Sequence, residues 1–420
     1  MNFGTRVRVI ASLVVFCSYD NHASQDTLRE RILKDRAIES GLTPVEALTP
    51  AVDPGLAAAG QKLFEAEYLS LNSKVSCRSC HLPQFSSADG LPNAIGVRGQ
   101  GEGISRLTSG GAIVPRNTLP LWGRGSVGFD TFFWDGKVER KTSSGVIVSQ
   151  FGTVSPSDDP LVVAVHLPPV EFREMLDDLQ ADVLAYETET TESAEAIYQL
   201  LAGRIREDKS VAKELAHSLN KDPEELSFED AAMAIAAFIR AEFRIRETDF
   251  HRFVFGQGEL SEDAIAGGLI FYGKGQCSMC HNGPFFSDLD FHAIPTPQLG
   301  FGKNGFGVDY GRYNVTFAPA DRYKFRTPPL YNVQHTAPYT HSGSLPLLQE
   351  VIAAHLDPLV LQQTQNMNSG ARQEFYGRLL AWSDEALEPI TLSDEEIIDL
   401  VAFLKSLSFC EPVSTNFCGE

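Results

Sequence analysis

Apolar positions recur with a helical period in three regions of the chain. Residues 170–250, 345–356 and 393–407 largely place an apolar side chain at every third or fourth position, which predicts amphipathic helices with one buried face. Two capping boxes mark places where helices are expected to begin, namely Ser227 with Asp230 and Ser393 with Glu396. The pattern therefore favours a mainly α protein.

Two other regions lack a sustained period. Residues 82–165 and 282–345 are rich in glycine and proline, which predicts long loops. Gly256 and Gly258 follow the first helical region and mark an expected domain boundary. At about 150 residues per domain, a chain of 420 residues is long enough for two or three domains.

The composition is that of an ordinary globular protein, with 43% hydrophobic and 21% charged residues. Lys and Arg total 35 against 55 Asp and Glu, so the formal net charge is −20. This charge argues against nucleic acid as a partner, because phosphates require a basic surface. It is compatible with a basic protein partner.

The first residues resemble an export signal. Arg6 and Arg8 precede the apolar run Val9–Cys17, which is too short for a transmembrane span of about 20 residues. We expect residues 1–23 to be a signal peptide that ends near Ala23, and residues 24–50 to be a polar N-terminal arm. Lipid anchoring at Cys17 is the less favoured alternative, because bulky Phe16 precedes it.

The cysteines carry the strongest chemical signal. The C-x-x-C-H pattern attaches c-type haem, since its two thiols add to the porphyrin vinyl groups and its histidine ligates the iron. It occurs twice, as Cys77-Arg-Ser-Cys80-His81 and Cys277-Ser-Met-Cys280-His281. A redox dithiol or a zinc site is the alternative, but 200 residues between the pairs disfavour zinc. The sequence therefore predicts two covalent haems.

Each motif follows a helical stretch that contains glycine and an aromatic residue, at 59–64 and 266–271. This repetition predicts two cytochrome c-like haem domains with long loops, within a mainly α fold. We expect an N-terminal haem domain at 51–255, a C-terminal haem domain at 256–410 and a tail at 411–420.

Haem attachment of this kind implies an exported, periplasmic protein. In an oxidising compartment the remaining pair, Cys410 and Cys418, is expected to form a disulfide. Free thiols on a frayed tail are the alternative.

The sixth position of the first haem is predicted from absent ligands. No histidine lies between His81 and His166, and no methionine lies between Met1 and Met175. This favours an open iron that can bind a small molecule such as peroxide. Ligation by His166 or Met175 is the alternative.

The second haem has more candidate ligands, namely His292, His335, His341, His355 and Met367. His355 lies one turn beyond Val351 on the predicted apolar face of its helix. A histidine in such a place is more often a core residue than a ligand, so the pattern alone leaves the choice open.

These motifs together resemble a known family. The chain is similar to the di-haem cytochrome c peroxidases and the related MauG-type maturation enzymes from about residue 57 to 408. The matching segments are 76–81, 115–117, 133–136, 168–175, 275–284, 325–333, 336–343 and 392–407. The resemblance implies that the N-terminal haem activates hydrogen peroxide and that the C-terminal haem stores or relays an oxidising equivalent.

The resemblance also implies two catalytic residues. Trp134 matches the tryptophan between the haems, a radical relay, where the alternative is a core aromatic residue. Glu174 matches the glutamate that takes a proton from peroxide and returns it to the leaving oxygen, where the alternative is a solvated charge. Ala164 stands where the family has a glutamine, so that hydrogen bond is missing or comes from another group such as His166.

The resemblance implies a departure at the second haem. The family's distal ligand, Met in the peroxidases and Tyr in MauG, lies fourteen residues after the histidine that matches His341, which gives His355. We therefore expect a bis-histidine iron with a lowered reduction potential, a poor match to a haem that collects electrons from a high-potential cytochrome. With no distal histidine to displace at the first haem, no reductive activation step is expected.

One calcium ion between the haems is a further implication of the resemblance. Its ligands would be the Asn117 side chain and the carbonyl oxygens of Thr336 and Pro338, since a hard cation prefers oxygen. The alternative is that these are ordinary loop residues.

The predicted function is a periplasmic enzyme that uses hydrogen peroxide to oxidise a Trp or Tyr side chain of a partner protein. The alternative within the family is a peroxidase that reduces peroxide to water with electrons from a small cytochrome or cupredoxin. A non-enzymatic di-haem electron carrier is the alternative of another class.

Overall fold

A computed structural model describes residues 27–141, 147–148, 157–177, 190–361, 364–383 and 390–409 of the chain. The expected signal peptide at 1–23, its Cys17, and the Cys410–Cys418 pair lie outside the described residues. No helix in the described ranges is long and apolar enough to cross a membrane.

Helices dominate the fold, so the predicted mainly α class is confirmed. They are α1 (Leu28–Glu39), α2 (Pro54–Glu65), α3 (Ile104–Leu107), α4 (Pro160–Val165), α5 (Thr191–Glu207), α6 (Lys209–Leu219), α7 (Phe228–Glu242), α8 (Asp249–Phe255), α9 (Glu262–Phe271), α10 (Tyr313–Thr316), α11 (Leu348–Leu356), α12 (Ser369–Ser383) and α13 (Asp394–Lys405).

The strands are short and antiparallel. They are β1 (Ala94–Ile95), β2 (Ile113–Val114), β3 (Thr131–Phe132), β4 (Val138–Arg140), β5 (Ile147–Val148), β6 (Phe291–His292), β7 (Phe301–Gly302), β8 (Gly305–Phe306) and β9 (Phe325–Arg326). The pairs are β1 with β2, β3 with β4, β4 with β5, β6 with β9, and β7 with β8. These short pairs lie within the two regions that were predicted to be long loops, and they link parts of those loops to one another.

Both predicted capping boxes are confirmed. Ser227 accepts a hydrogen bond from the Asp230 amide at the start of α7, and Ser393 accepts one from the Glu396 amide at the start of α13. These caps satisfy amide groups that would otherwise be unpaired in the first turn.

The same helix crossing occurs twice. In the N-terminal half α2 crosses α7, and in the C-terminal half α9 crosses α13. A Cβ atom on Gly60 would lie 1.9 Å from the carbonyl oxygen of Ala234, and one on Gly267 would lie 1.9 Å from that of Asp399. Each crossing therefore requires glycine, which explains the glycine that precedes each haem motif.

The expected N-terminal arm is more than a connection to the first haem domain. Its helix α1 buries Leu33 and Ala37 completely and packs against α9 of the C-terminal half. The amide of Gly283 donates a 2.7 Å hydrogen bond to the carbonyl of Ser40. Leu33 and Ala37 of the arm are thus buried against the C-terminal half of the chain.

Candidate haem sites and the region between them

The two C-x-x-C-H motifs have the same local structure. Each lies in a 3-10 turn, Cys77–Ser79 or Cys277–Met279. A second 3-10 turn follows and ends at a residue with left-handed backbone, Ser86 at φ 51° or Phe286 at φ 50°. No disulfide joins the cysteines of either motif, and all four are partly accessible, as covalent attachment requires.

Each proximal histidine is oriented by the turn that follows it. The Nδ1 atom of His81 lies 2.7 Å from the carbonyl oxygen of Ser87, and that of His281 lies 2.9 Å from the carbonyl oxygen of Phe286. This contact fixes Nδ1 as the protonated nitrogen and leaves Nε2 for a metal. Burial lowers the pKa of both imidazoles to about 4, so both are neutral ligands.

A cavity of about 350 Å³ adjoins the first motif. It is lined by Cys77, Cys80 and His81, and by a set that includes Arg116, Trp134, Lys137, Ala164, Glu171, Glu174, Met175 and Lys303. Of the two alternative ligands, Met175 lies on this wall and His166 does not. His166 instead contacts the Val162 carbonyl at 2.8 Å and Glu229 at 3.1 Å, so it does not replace the missing glutamine.

Glu174 lies on the wall of the first cavity. The preceding residue, Arg173, has left-handed backbone at φ 69°, and its carbonyl accepts a hydrogen bond from Val97. A Cβ atom on Gly96 would lie 1.8 Å from this carbonyl, so the close approach that holds Glu174 requires glycine. Burial raises the pKa of the Glu174 carboxyl to about 7, against the opposing charges of Lys137 and Lys303.

Three charged residues lie near Glu174 on the wall of the first cavity, namely Lys137, Glu171 and Lys303. None of them was predicted as a site residue from the sequence. Lys137 forms a buried ion pair with Glu171, and the Nζ atom of Lys303 lies 3.5 Å from the same carboxylate. Lys303 stands between β7 and β8, far away in sequence, so local pattern carries no signal for it. Lys137 does carry one, because it directly follows the Phe133–Gly136 motif.

A second cavity of about 280 Å³ adjoins the second motif. His281 and His355 both line it. The Nδ1 atom of His355 lies 2.7 Å from the Val351 carbonyl of its own helix. The two imidazoles are close enough for His355 to lower the pKa of His281. His355 thus has the orientation of a metal ligand, with Nε2 available.

The other candidate ligands of the second haem are differently placed. His292 and His341 line the cavity, but the Nε2 atom of His292 contacts Asp288 at 2.9 Å and that of His341 contacts Gln298 at 2.6 Å. His335 and Met367 lie off the cavity wall. His355 is therefore the best placed of the five.

Trp134 lines both cavities. Its side chain is 9% exposed, and its Nε1 atom donates a 3.0 Å hydrogen bond to the Asn117 carbonyl. The residues of the predicted calcium set, Asn117, Thr336 and Pro338, all line the second cavity, and the Asn117 side-chain amide donates a 2.6 Å hydrogen bond to the Pro338 carbonyl. The Thr336 hydroxyl donates to Val333.

The residues present fit two c-type haems. Both cavities have apolar walls and one C-x-x-C-H motif each. On the wall of the second cavity the Nε1 atom of Trp382 is buried and has no hydrogen-bond partner among the residues that the structure describes, although buried N–H groups are normally satisfied. A haem carboxylate would supply the missing acceptor.

Two haem-attachment sites on one mainly α scaffold, with a buried carboxyl group on the first cavity wall, define a di-haem c-type cytochrome of the peroxidase kind. Comparison with known proteins agrees. Residues 54–259 match the family model described as di-haem cytochrome c peroxidase. Over this range the chain is similar to the di-haem cytochrome c peroxidase and MauG family.

Two curated relatives match most of the chain. Cytochrome-c peroxidase IdrP1 of Pseudomonas sp. strain SCT is 25% identical over 85% of this chain and 81% of its own length. Methylamine utilization protein MauG of Methylorubrum extorquens is 25% identical over 96% of this chain and 92% of its own length. The family implies two c-type haems, hydrogen peroxide and a redox partner or substrate.

Two solved structures share the fold. A MauG-like protein associated with microbial copper homeostasis superposes with a TM-score of 0.63 at 23% identity, covering 90% of this chain and 95% of its own. The diheme peroxidase BthA from Burkholderia thailandensis superposes with a TM-score of 0.62 at 19% identity, covering 90% of this chain and 93% of its own.

Proposed function

We propose that this enzyme uses hydrogen peroxide to oxidise a Trp or Tyr side chain of a partner protein, by electron transfer through the protein. The observation that carries this is the position of His355, which shares the second cavity with His281. Two imidazole ligands favour a low reduction potential at the second iron and stabilise its oxidised states. Such an iron suits storage of an oxidising equivalent better than uptake of electrons from a high-potential donor.

The first cavity is suited to peroxide. In the described chain His81 is the only histidine on its wall, so no second histidine there would compete with a small molecule for the iron that His81 would hold. When bound, the first haem supplies an iron that binds and polarises peroxide, and the second supplies an iron that stores one oxidising equivalent.

Glu174 is the group that handles the proton. With its pKa raised to about 7, its carboxylate can accept a proton near neutral pH and donate it again, which is the property required of a general acid–base. Lys137 and Lys303 hold the neighbouring Glu171 and provide positive charge beside the developing negative charge.

Trp134 is the relay between the cavities in this proposal. Its side chain lies on both walls, and its hydrogen bond to the Asn117 carbonyl holds the ring in place. Trp134→Phe is expected to leave both haem spectra unchanged while slowing the sharing of an oxidising equivalent between the haems.

Spectroscopy of the ferric enzyme tests the proposal first. One high-spin and one low-spin electron paramagnetic resonance signal are expected, and two low-spin signals would argue for an electron carrier. Stoichiometric peroxide should then give a long-lived, two-electron-oxidised protein. This state should oxidise basic peptides containing Trp or Tyr, detected by mass, and leave matched Phe peptides unchanged.

A second candidate is a peroxidase that reduces peroxide to water, because IdrP1 is named a cytochrome-c peroxidase. Rapid turnover with a reduced small cytochrome or cupredoxin, without a long-lived oxidised protein, would favour it over side-chain oxidation.

Two further features belong to the proposal. We expect a periplasmic location, to be checked by fractionation and by the N-terminal sequence of the mature chain.

We also expect one calcium ion at Asn117, Thr336 and Pro338. Asn117 and Pro338 are already adjacent. Metal analysis before and after chelation should find one calcium ion per chain in the wild-type protein and none in Asn117→Ala.

A further inference from the structure

Two buried arginines between the cavities form no ion pair with a carboxylate in the part of the chain that the structure describes. Arg124 is 5% exposed and Arg326 is 1% exposed. In each, the Nη2 atom is buried and no described residue forms a hydrogen bond with it. Their other hydrogen bonds go to backbone carbonyls: Arg124 Nε to Pro120 at 2.7 Å, and Arg326 Nε to Phe133 at 3.0 Å and Nη1 to Thr327 at 3.2 Å.

The two guanidinium groups share one aromatic neighbour. Each Cζ atom lies 5.5 Å from the centre of the Phe129 ring, which is itself buried. Arg124 lines the first cavity and Arg326 lines the second. One positive charge therefore faces each cavity from a common buried cluster.

This arrangement is unfavourable without an anion. Burial lowers the pKa of Arg326 to about 9, and burial together with Arg326 lowers that of Arg124. Arg116 shows how the same chain satisfies a buried arginine, since it pairs with Asp135 at 2.6 Å and Asp309 at 2.8 Å. Among the described residues no ion pair of this kind is made by Arg124 or Arg326, although buried charges are normally paired.

We propose that Arg124 and Arg326 form a paired carboxylate-binding site in which each arginine binds a propionate of the haem on its own side, with Phe129 between them. The planar guanidinium group suits a carboxylate. Its positive charge keeps the propionate ionised and offsets the negative charge beside the iron. These arginines would act in the same way whichever substrate the enzyme oxidises.

The test uses the holoenzyme and the variants Arg124→Gln and Arg326→Gln. Spectroelectrochemistry should show a lower reduction potential, with R124Q affecting mainly the first haem and R326Q mainly the second. We expect the ferrous-to-ferric ratio at fixed potential to fall about tenfold, which is about 59 mV for a one-electron couple. The potential should also become dependent on pH, because the unpaired propionate then titrates.

Two controls separate this role from packing. Arg204→Gln removes an arginine that donates to the carbonyls of Tyr68, Ser70 and Leu71 and lines neither cavity, so both potentials should stay unchanged. Arg124→Lys and Arg326→Lys keep the positive charge, so each lysine variant should have a reduction potential close to that of the wild-type enzyme.

Several results would overturn the assignment. These are unchanged potentials in both glutamine variants, a lysine variant that shifts as far as its glutamine counterpart, or wild-type potentials that depend on added phosphate or chloride. If a glutamine variant fails to retain haem, recovery of haem by the lysine variant supports the site, and failure of the lysine variant counts against it.

Discussion

The two haem units share their attachment side and differ on the opposite side. Both combine a glycine-dependent helix crossing, a 3-10 turn that carries the cysteines, and a proximal histidine held through Nδ1. Across the cavity the first unit presents Glu174 with Lys137 and Lys303, and the second presents His355. The two units thus share the features that would attach a haem and differ in the side chains that line the rest of each cavity.

The substitution Glu174→Gln is expected to have the largest effect on the difference between the two units. Without a carboxyl that exchanges a proton, the reaction with peroxide should slow by about 10²–10⁴-fold, as measured by stopped flow. The spectrum of the second haem should not change. A reaction with peroxide at the wild-type rate would remove Glu174 from the mechanism.

His355→Met tests the second unit in the same way. Exchange of imidazole for thioether should raise the potential of the second haem, with the ferrous-to-ferric ratio changing on the order of a hundredfold, because axial ligands set haem potentials over about 0.8 V. His335→Met is the matched control, since His335 lies off the cavity wall. An unchanged spectrum in H355M would contradict the ligand assignment.

The shared part of the comparison is tested by Gly60→Ala and Gly267→Ala. A methyl group has no room at either crossing, so each variant should lose about 1–3 kcal/mol of unfolding free energy. Gly203→Ala is the control, because nothing lies within 4 Å of its added Cβ. There α5 should gain about 0.5–1 kcal/mol, and equal losses in all three variants would exclude the crossings as the cause.

The smallest effect is expected from Lys303→Met. Activity that needs the Glu174 carboxylate should rise with pH through about 7, because the protonated group cannot accept a proton. Lys303 lowers that pKa, so its removal should move the rising limb to higher pH, by up to about one unit. The exposed Lys209→Met should leave the profile in place, and an unmoved limb in K303M would show that Lys303 does not act on Glu174.

The features that could be predicted from the sequence are those that depend on residues close together in the chain. The haem motifs, both capping boxes and the mainly α class follow from short-range spacing, and the glycines before each motif indicated the repeated unit. Glu174, Trp134 and His355 came from a family resemblance and remain predictions as functional residues. Their placement on the cavity walls could not be derived from pattern alone.

The features that sequence reasoning missed are long-range. Lys303 reaches Glu171 across 132 residues, and Arg124 meets Arg326 only where both lie over Phe129. Helix α1 has a polar sequence, so its burial against the C-terminal half has little local signal. Such contacts depend on the folded arrangement of loops, which no helical or strand period records.

The docking of α1 on α9 has a consequence for the order of folding. Leu33 packs against Gly268, so α1 depends for its burial on a partner more than 200 residues further along the chain. Closing so long a loop is slow compared with forming local helix pairs. The α2–α7 crossing joins Gly60 to Ala234 and closes a loop nearly as long, so both haem units form by long-range closure, and α1 can dock only once α9 is in place.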